Sequence, residues 1–400
     1  MSSPRLARQQ ILLLVACQAL LYVNNVTLIA VNGLAGLALA PTPLAATLPI
    51  TTYIIGSALT TLPASFFMGR FGRRAGFMLG ATVGVLGLLL AGTAMLLGSF
   101  WLLAAGTFVV GLYNAFWQYL RFAAVDVADA YDKSLKERAI AWVLAGGLAG
   151  GIVGPEMSKL TREALPVAFA GTYFALAAFA VLSTFVASRL RLGAPAAGAA
   201  AGEAARPLAQ IAAQPAFMVA VLVGAISYGA MNLLMTATPL AMQVCGFGYP
   251  EAADVIKWHV IAMFAPGFFT GTLVRRFGPL RVMLAGCLLM FATVAVAHTG
   301  LTYWHFWSAL VLLGLGWNLM FVAATTLLTT TYRTSEKSKV QGVNDLAVFL
   351  TMITSSAASG ALVSATGWTD LNLYALPAMV LATAAVLVLL ARGAPTARLA

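Results

Sequence analysis

The chain has 400 residues, of which 61% are hydrophobic and only 9% charged, a balance that excludes a soluble domain of ordinary composition. Its net charge of +11 lies in short basic clusters between apolar runs, which excludes a nucleic-acid surface and fits the Lys and Arg excess on one side of a membrane protein. Cys17, Cys245 and Cys287 form no CxxC pair, so neither a disulfide framework nor a zinc site is expected. No Walker loop, haem-attachment CxxCH or GxSxG is present, and the chain is not read as an enzyme.

The apolar runs are continuous rather than alternating, which predicts an all-α membrane protein. About 20 apolar residues cross a bilayer, and Gly, Pro and charge divide the chain into twelve such stretches. They fall at 11–32, 45–68, 75–97, 100–124, 139–157 and 166–188, then at 215–241, 252–274, 282–300, 304–331, 341–364 and 371–391. The first follows "MSSPRLARQQ" with no small-residue cleavage site, and reads as a retained helix rather than a signal peptide. It carries Asn24, Asn25 and Asn32, and Asn25 is expected to line a cavity together with Asn114 and Gln118 of the fourth span and Asn318 of the tenth. In the fourth, "NAFWQYLRFAAVD" sets Asn114, Gln118 and Arg121 along one helical stripe, with Arg121 near Asp126. The fifth holds "GGLAGGIVGPEM", whose small residues permit close helix packing, and ends at Glu156. Glu156 and Asp345, at the start of the eleventh, are candidate coupling carboxylates beside a simpler reading as boundary residues.

An Ala-, Gly- and Pro-rich stretch separates the sixth and seventh spans. It divides the chain into a first half at 1–190, a linker at 191–214 and a second half at 215–400. The halves echo each other. "MGRFGRR" after the second span recurs as "VRRFGPLR" after the eighth, an offset of 206, and "GLYN" recurs as "LGWN", pairing Asn114 with Asn318 at an offset of 204. Such repeats place a transporter's cargo near the bilayer midplane. Basic residues cluster on alternate connections, among them Arg70, Arg74, Arg189, Arg275 and Arg333, which predicts that both termini and the linker are cytoplasmic.

The seventh and eighth spans carry the most specific pattern. Met231 and Met235 are the chain's only MxxxM pair, and His259 and Met263 follow at the same i, i+4 spacing. Each cross-hairpin pair, Met235 with His259 and Met231 with Met263, is symmetric about residue 247 and is expected at matching depth. Thioethers and imidazole without a carboxylate suit monovalent copper, with Met242 and Cys245 placed at the outer mouth to receive it. Core packing with one hydrogen-bonded histidine stands beside that reading.

The six-plus-six repeat and the "GRFGRR" loop resemble the major facilitator superfamily over the whole chain. That family's loop has Gly, then Asp-Arg, then Gly-Arg-Arg; here Ser65 and Gly69 stand at the Gly and Asp positions, leaving Arg73 to pair with Asp126 or Asp129. Gly154-Pro155 resembles the superfamily's antiporter motif. The paired MxxxM and HxxxM motifs resemble the CcoA-like copper importers. That resemblance implies an inner-membrane importer with copper as cargo rather than cofactor, bound by Met231, Met235, His259 and Met263, supplying haem-copper oxidase assembly, with a cytoplasmic copper chaperone as partner. The same family is similar to bacterial riboflavin importers, which implies a competing cargo stacked on Trp117, Trp142 or Trp317. A non-transporting copper sensor is the third reading.

Overall fold

The computed structural model describes residues 4–131, 136–192 and 206–393, and among these every regular element is helical. Lys133 and most of the expected linker lie outside them, as do the side chains of Arg121 and Asp129. Fifteen helices follow in order: α1 Pro4–Leu39, α2 Leu48–Phe71, α3 Arg73–Leu97, α4 Phe100–Trp117, α5 Leu120–Tyr131, α6 Lys136–Thr161, α7 Ala170–Ser188, α8 Leu208–Ala212, α9 Pro215–Val244, α10 Tyr249–Phe264, α11 Gly267–Phe277, α12 Pro279–Thr299, α13 Tyr303–Thr329, α14 Lys337–Leu373 and α15 Leu376–Ala391. They account for the twelve spans, the fourth being α4 with α5 and the eighth α10 with α11; α8 is an extra turn.

Several boundaries differ from expectation. The 36 residues of α1 rise about 54 Å, well beyond the hydrocarbon core, because Arg5 and Arg8 sit on the same continuous helix. The single stripe expected for Asn114, Gln118 and Arg121 is interrupted. The helix tightens after Gln118, where Tyr119 N–H reaches Phe116 O at 3.5 Å and Phe122 N–H donates to Tyr119 O at 3.0 Å, and it restarts at Leu120 with Gln118 exposed. The eighth span breaks at Ala265-Pro266, since proline has no N–H for the preceding turn. In α14 the backbone leaves helical geometry at Gly367, with φ 75°. Because α14 begins at Lys337, Asp345 lies two turns inside it, exposed, rather than at its start.

The chain forms two compact units, one of residues 1–196 with 246–261 and the other of 197–245 with 262–400. In the first, α1 and α6 pack so closely that a Cβ on Gly146 or Gly150 would collide with the carbonyl oxygens of Val15 and Ala19. The glycines of "GGLAGG" thus remove side-chain bulk where two backbones meet. The start of α10 joins this unit through Tyr249, whose hydroxyl lies 2.6 Å from Ser158 Oγ, and through Lys257, whose Nζ donates to Glu156 at 2.7 Å. In the second unit α9 packs on α13 and α14, and α12 on α13.

Gly72 and Gly278, the repeat-related turns, share one unusual conformation, φ 88° ψ 155° and φ 82° ψ 155°. Each ends its helix with an N–H···O bond of 2.9 Å, to Met68 and Val274. The two halves therefore repeat their turn geometry as well as their letters.

Within the expected linker, Arg206 is clamped to the turn that follows α13. Glu336, fully enclosed, accepts Arg206 N–H and Nε at 2.8 Å each, Arg206 Nη2 at 2.7 Å and Arg333 N–H at 2.9 Å. These bonds, the Arg206 side chain's first, hold its carboxyl well below the usual carboxylate range.

Gly150→Val should abolish monodisperse protein in detergent, whereas Gly69→Ala, at a glycine with open space around it, should leave elution and Tm unchanged. Because the folded pKa of Glu336 is depressed, its stabilisation is complete above the unfolded value of about 4.3 and lost as pH falls below it. Thermal melts of Glu336→Gln should accordingly lie below wild type at pH 7, with the gap narrowing as the pH is lowered through 4 and beyond.

Candidate functional site

The second unit centres on a helix break that lies in an apolar span. Pro266 interrupts the helix, and the Asn318 side chain on α13 bonds the backbone beside the break: its Nδ2 donates to Met263 O at 2.6 Å. The Thr270 hydroxyl on α11 then lies 2.6 Å from Asn318 Oδ1 and 2.8 Å from Pro266 O, donating between them. Asn318, expected as cavity lining, thus holds the two pieces of the eighth span together.

The first unit uses Asn114 in the same way. Its Nδ2 donates to Ser57 Oγ on α2 at 3.0 Å, and Ser57 Oγ donates to Gly111 O at 3.0 Å. Asn25 Nδ2 donates to Asn114 Oδ1 at 2.9 Å, and Tyr53 OH donates to Asn25 Oδ1 at 2.6 Å. Three helices, α1, α2 and α4, are joined by this chain of bonds. Under the 206-residue offset Asn25, Tyr53 and Ser57 correspond to Met231, His259 and Met263. The motif positions of the second half are therefore the counterparts of a bonded cluster in the first.

Met231, Met235, His259 and Met263 are all buried, with exposures of 2%, 3%, 0% and 6%. The first two lie one turn apart on α9, the others one turn apart on α10, whose residues divide between the compact units after Ile261. No three His, Cys, Asp or Glu side chains converge on a metal position among the described residues, so a metal here would rest on thioethers and the one imidazole. Because α9 runs through Val244, Met242 is buried inside it rather than standing at a mouth, and Cys245 is half-buried just beyond. Burial pushes the Cys245 thiol up, away from the thiolate that binds soft metals best.

Arg73 Nε donates to Asp126 Oδ2, so the loop's arginine finds on α5 the carboxylate that position 69 lacks. Glu156 is tied to two ammonium groups, Lys159 at 3.0 Å and Lys257 at 2.7 Å, and Lys257 also meets Asp254 at 2.5 Å. Of the three tryptophans expected to stack on an aromatic cargo, Trp142 is 42% exposed and Trp117 is buried with its indole N–H donated to Phe77 O at 2.9 Å. Trp317 sits beside Asn318 among three further rings.

Those rings were not singled out by the residue pattern. Trp317 and Phe321 stack with centroids 5.3 Å apart and planes within 9°; Tyr228 on α9 stands perpendicular to both, and Phe264 at the end of α10 meets Trp317 at 6.0 Å. The signal was the offset of 204, which maps the pair Tyr113 and Trp117 onto Trp317 and Phe321.

The pattern described as Major Facilitator Superfamily matches residues 14–344 and 255–399. The chain is 39% identical over 385 residues to "Riboflavin transporter RfnT" of Brucella anthropi, covering 95% of this chain and 96% of that relative. It is 29% identical over 345 residues to "Uncharacterized MFS-type transporter YddS" of Bacillus subtilis, covering 82% and 78%. Among solved structures it is similar in fold to the POT family transporter PepTSo, with TM-score 0.74, 13% identity and coverage of 96% and 98%. It is also similar to a D323A mutant of the nucleoside transporter NupG, with TM-score 0.72, 11% identity and coverage of 96% and 100%.

Removing the amide that bridges the helix break strands the Met263 carbonyl in hydrocarbon, at about 1–3 kcal/mol. Asn318→Ala should therefore melt several degrees below wild type in detergent. Thr270→Val, which leaves the amide's bond to Met263 in place, should melt between the two.

Proposed function

We propose, for a chain that belongs to the Major Facilitator Superfamily, that the cargo is riboflavin or a closely similar flat heteroaromatic solute, taken up by alternating access. The observation that carries this reading is the 39% identity to a riboflavin transporter along nearly the whole of both chains. An aromatic cluster in the middle of α9 and α13 supports it, since a flat neutral ring system is held by stacking and a few aimed polar groups. The basic connections support an inner-membrane orientation with both termini and the linker cytoplasmic. The protein is a transporter and not an enzyme.

Copper import is a second reading, and a specific observation favours it. Met231, His259 and Met263 are buried and occupy the repeat counterparts of Asn25, Tyr53 and Ser57, which bond through one network in the first half. A soft, carboxylate-free set of this kind suits a singly charged copper ion that must be desolvated. In that reading Met235 completes the set, Cys245 lies on the approach with Met242 buried behind it, and imported copper passes to a chaperone for oxidase assembly. Coupling through Glu156 would first require its release from Lys159 and Lys257.

The two cargoes separate in one experiment. Cells unable to make riboflavin should grow on low external riboflavin when they express the chain, and should accumulate labelled riboflavin. His259→Ala and Met231→Ala should leave that uptake within about twofold of wild type. Copper accumulation that depends on His259, with no riboflavin uptake by wild type, would overturn the first reading in favour of the second. Copper binding in detergent without flux of either solute would leave only a sensor.

A further inference from the structure

The two halves solve one aromatic problem differently. In the first half Tyr113 and Trp117 stand one turn apart on α4, with centroids 5.1 Å apart. Both are fully buried and both polar atoms are bonded: Tyr113 OH donates to Ser183 Oγ at 3.1 Å, and Trp117 Nε1 donates to Phe77 O at 2.9 Å. Their counterparts on α13 are Trp317 and Phe321. Trp317 is 4% exposed, yet its indole Nε1 has no hydrogen-bond partner. An indole N–H left unpaired in an apolar interior is disfavoured unless something else supplies the acceptor.

The surroundings say what kind of acceptor fits. Trp317 and Phe321 lie parallel, Tyr228 is half-buried and edge-on to both, and Phe264 closes a further side. Trp317 is at the middle of the 27-residue α13 and Tyr228 at the middle of the 30-residue α9, while Phe264 borders the break at Ala265-Pro266. Mid-span positions beside a discontinuous helix are where repeat-built transporters hold their cargo. A cation would find no carboxylate among these residues, whereas a flat ring with an acceptor atom on its edge meets π faces and one free donor.

We propose that Trp317, with Tyr228, Phe264 and Phe321, forms the binding site for the cargo's aromatic ring system, and that the Trp317 indole N–H donates to an acceptor on the edge of that ring. This rests on the riboflavin reading and adds the residues and the bond that read the ring. The ring system, rather than any polar tail, is the recognised element.

The test uses purified full-length protein in detergent and the quenching of riboflavin fluorescence, which a stacked indole produces. Wild type should quench and saturate. Trp317→Phe keeps an aromatic face and removes the donor, and should weaken binding about tenfold. Trp317→Ala should weaken it further and abolish quenching at saturation. Trp142→Phe, at an exposed tryptophan, should behave as wild type. Lumichrome, which keeps the tricyclic ring and lacks the ribityl chain, should compete with riboflavin on wild type and weaken on Trp317→Phe by about the same factor as riboflavin. Elution and Tm of each variant check folding, and Phe321→Leu provides a second variant should Trp317→Ala fail to fold. Equal binding by wild type and both Trp317 variants would overturn this site while leaving the riboflavin reading standing. No riboflavin or lumichrome binding by well-folded wild type would overturn both.

Discussion

A carbonyl that faces hydrocarbon has no water to turn to, and that constraint organises both halves of the molecule. Pro266 interrupts the eighth span, and the Asn318 amide gives the Met263 carbonyl beside the break a donor. The interruption is thereby stable in lipid without becoming a continuous helix. The same side chain engages Thr270 beyond the break, so one amide fixes the last turn of α10 and the first of α11 together. In the first half Asn114 does comparable work at Ser57 and Asn25, where the second span is continuous and the bonds run between helices instead. A duplicated asparagine has been kept in both halves for one physical purpose, satisfying polar atoms inside the membrane.

Much of this was legible in the letters. Continuous apolar runs identified twelve spans, and the echo of "GRFG" identified the repeat; Gly72 and Gly278 then take the same backbone conformation because both turns need a positive φ that only glycine adopts readily. "GGLAGG" read as a packing stripe, and it is one, because carbonyls of α1 occupy the space that side chains would need. Arg73 was expected to seek Asp126 or Asp129 in place of the acidic residue its loop lacks, and Asp126 receives it. What the letters did not show was where helices stop. The pauses after Trp117 and Phe264 fall inside apolar stretches, and a pattern of hydrophobicity has no feature there to reveal them. Pro266 was visible, but proline also sits within unbroken α2, α6 and α9, at Pro63, Pro155 and Pro239.

The polar residues of the spans were harder to read than the apolar ones, for a reason of chemistry. A membrane asparagine looks the same in sequence whether it awaits cargo or pairs with a neighbour, and Asn25, Asn114 and Asn318 all proved to be paired. Glu156 looked like a candidate proton carrier until two lysines, distant in sequence or one turn away, were found on it. Periodicity tells which residues share a face of one helix; it does not tell which face of another helix they meet. The offset between the repeats is the one sequence-level device that carries such information, and it connects Met231, His259 and Met263 with a cluster that is bonded in the first half.

That offset also bears on which half reads the cargo. Duplication begins with two equal halves, and residues whose roles are purely structural have every reason to keep their bonds satisfied in each copy. Tyr113 and Trp117 do so, through Ser183 and Phe77. Trp317 occupies the place of Tyr113 and leaves its donor open at a depth where no water is at hand. Substituting a hydroxyl that reaches a partner with an indole that does not is unfavourable for the resting fold alone, by about 1–3 kcal/mol. The asymmetry is understandable if the second half gives up that stability to a molecule that visits and leaves, supplying an acceptor only while bound. Under this view the first half is the scaffold that repeats its own polar contacts, and the second half is where the repeat was broken to make room for chemistry from outside.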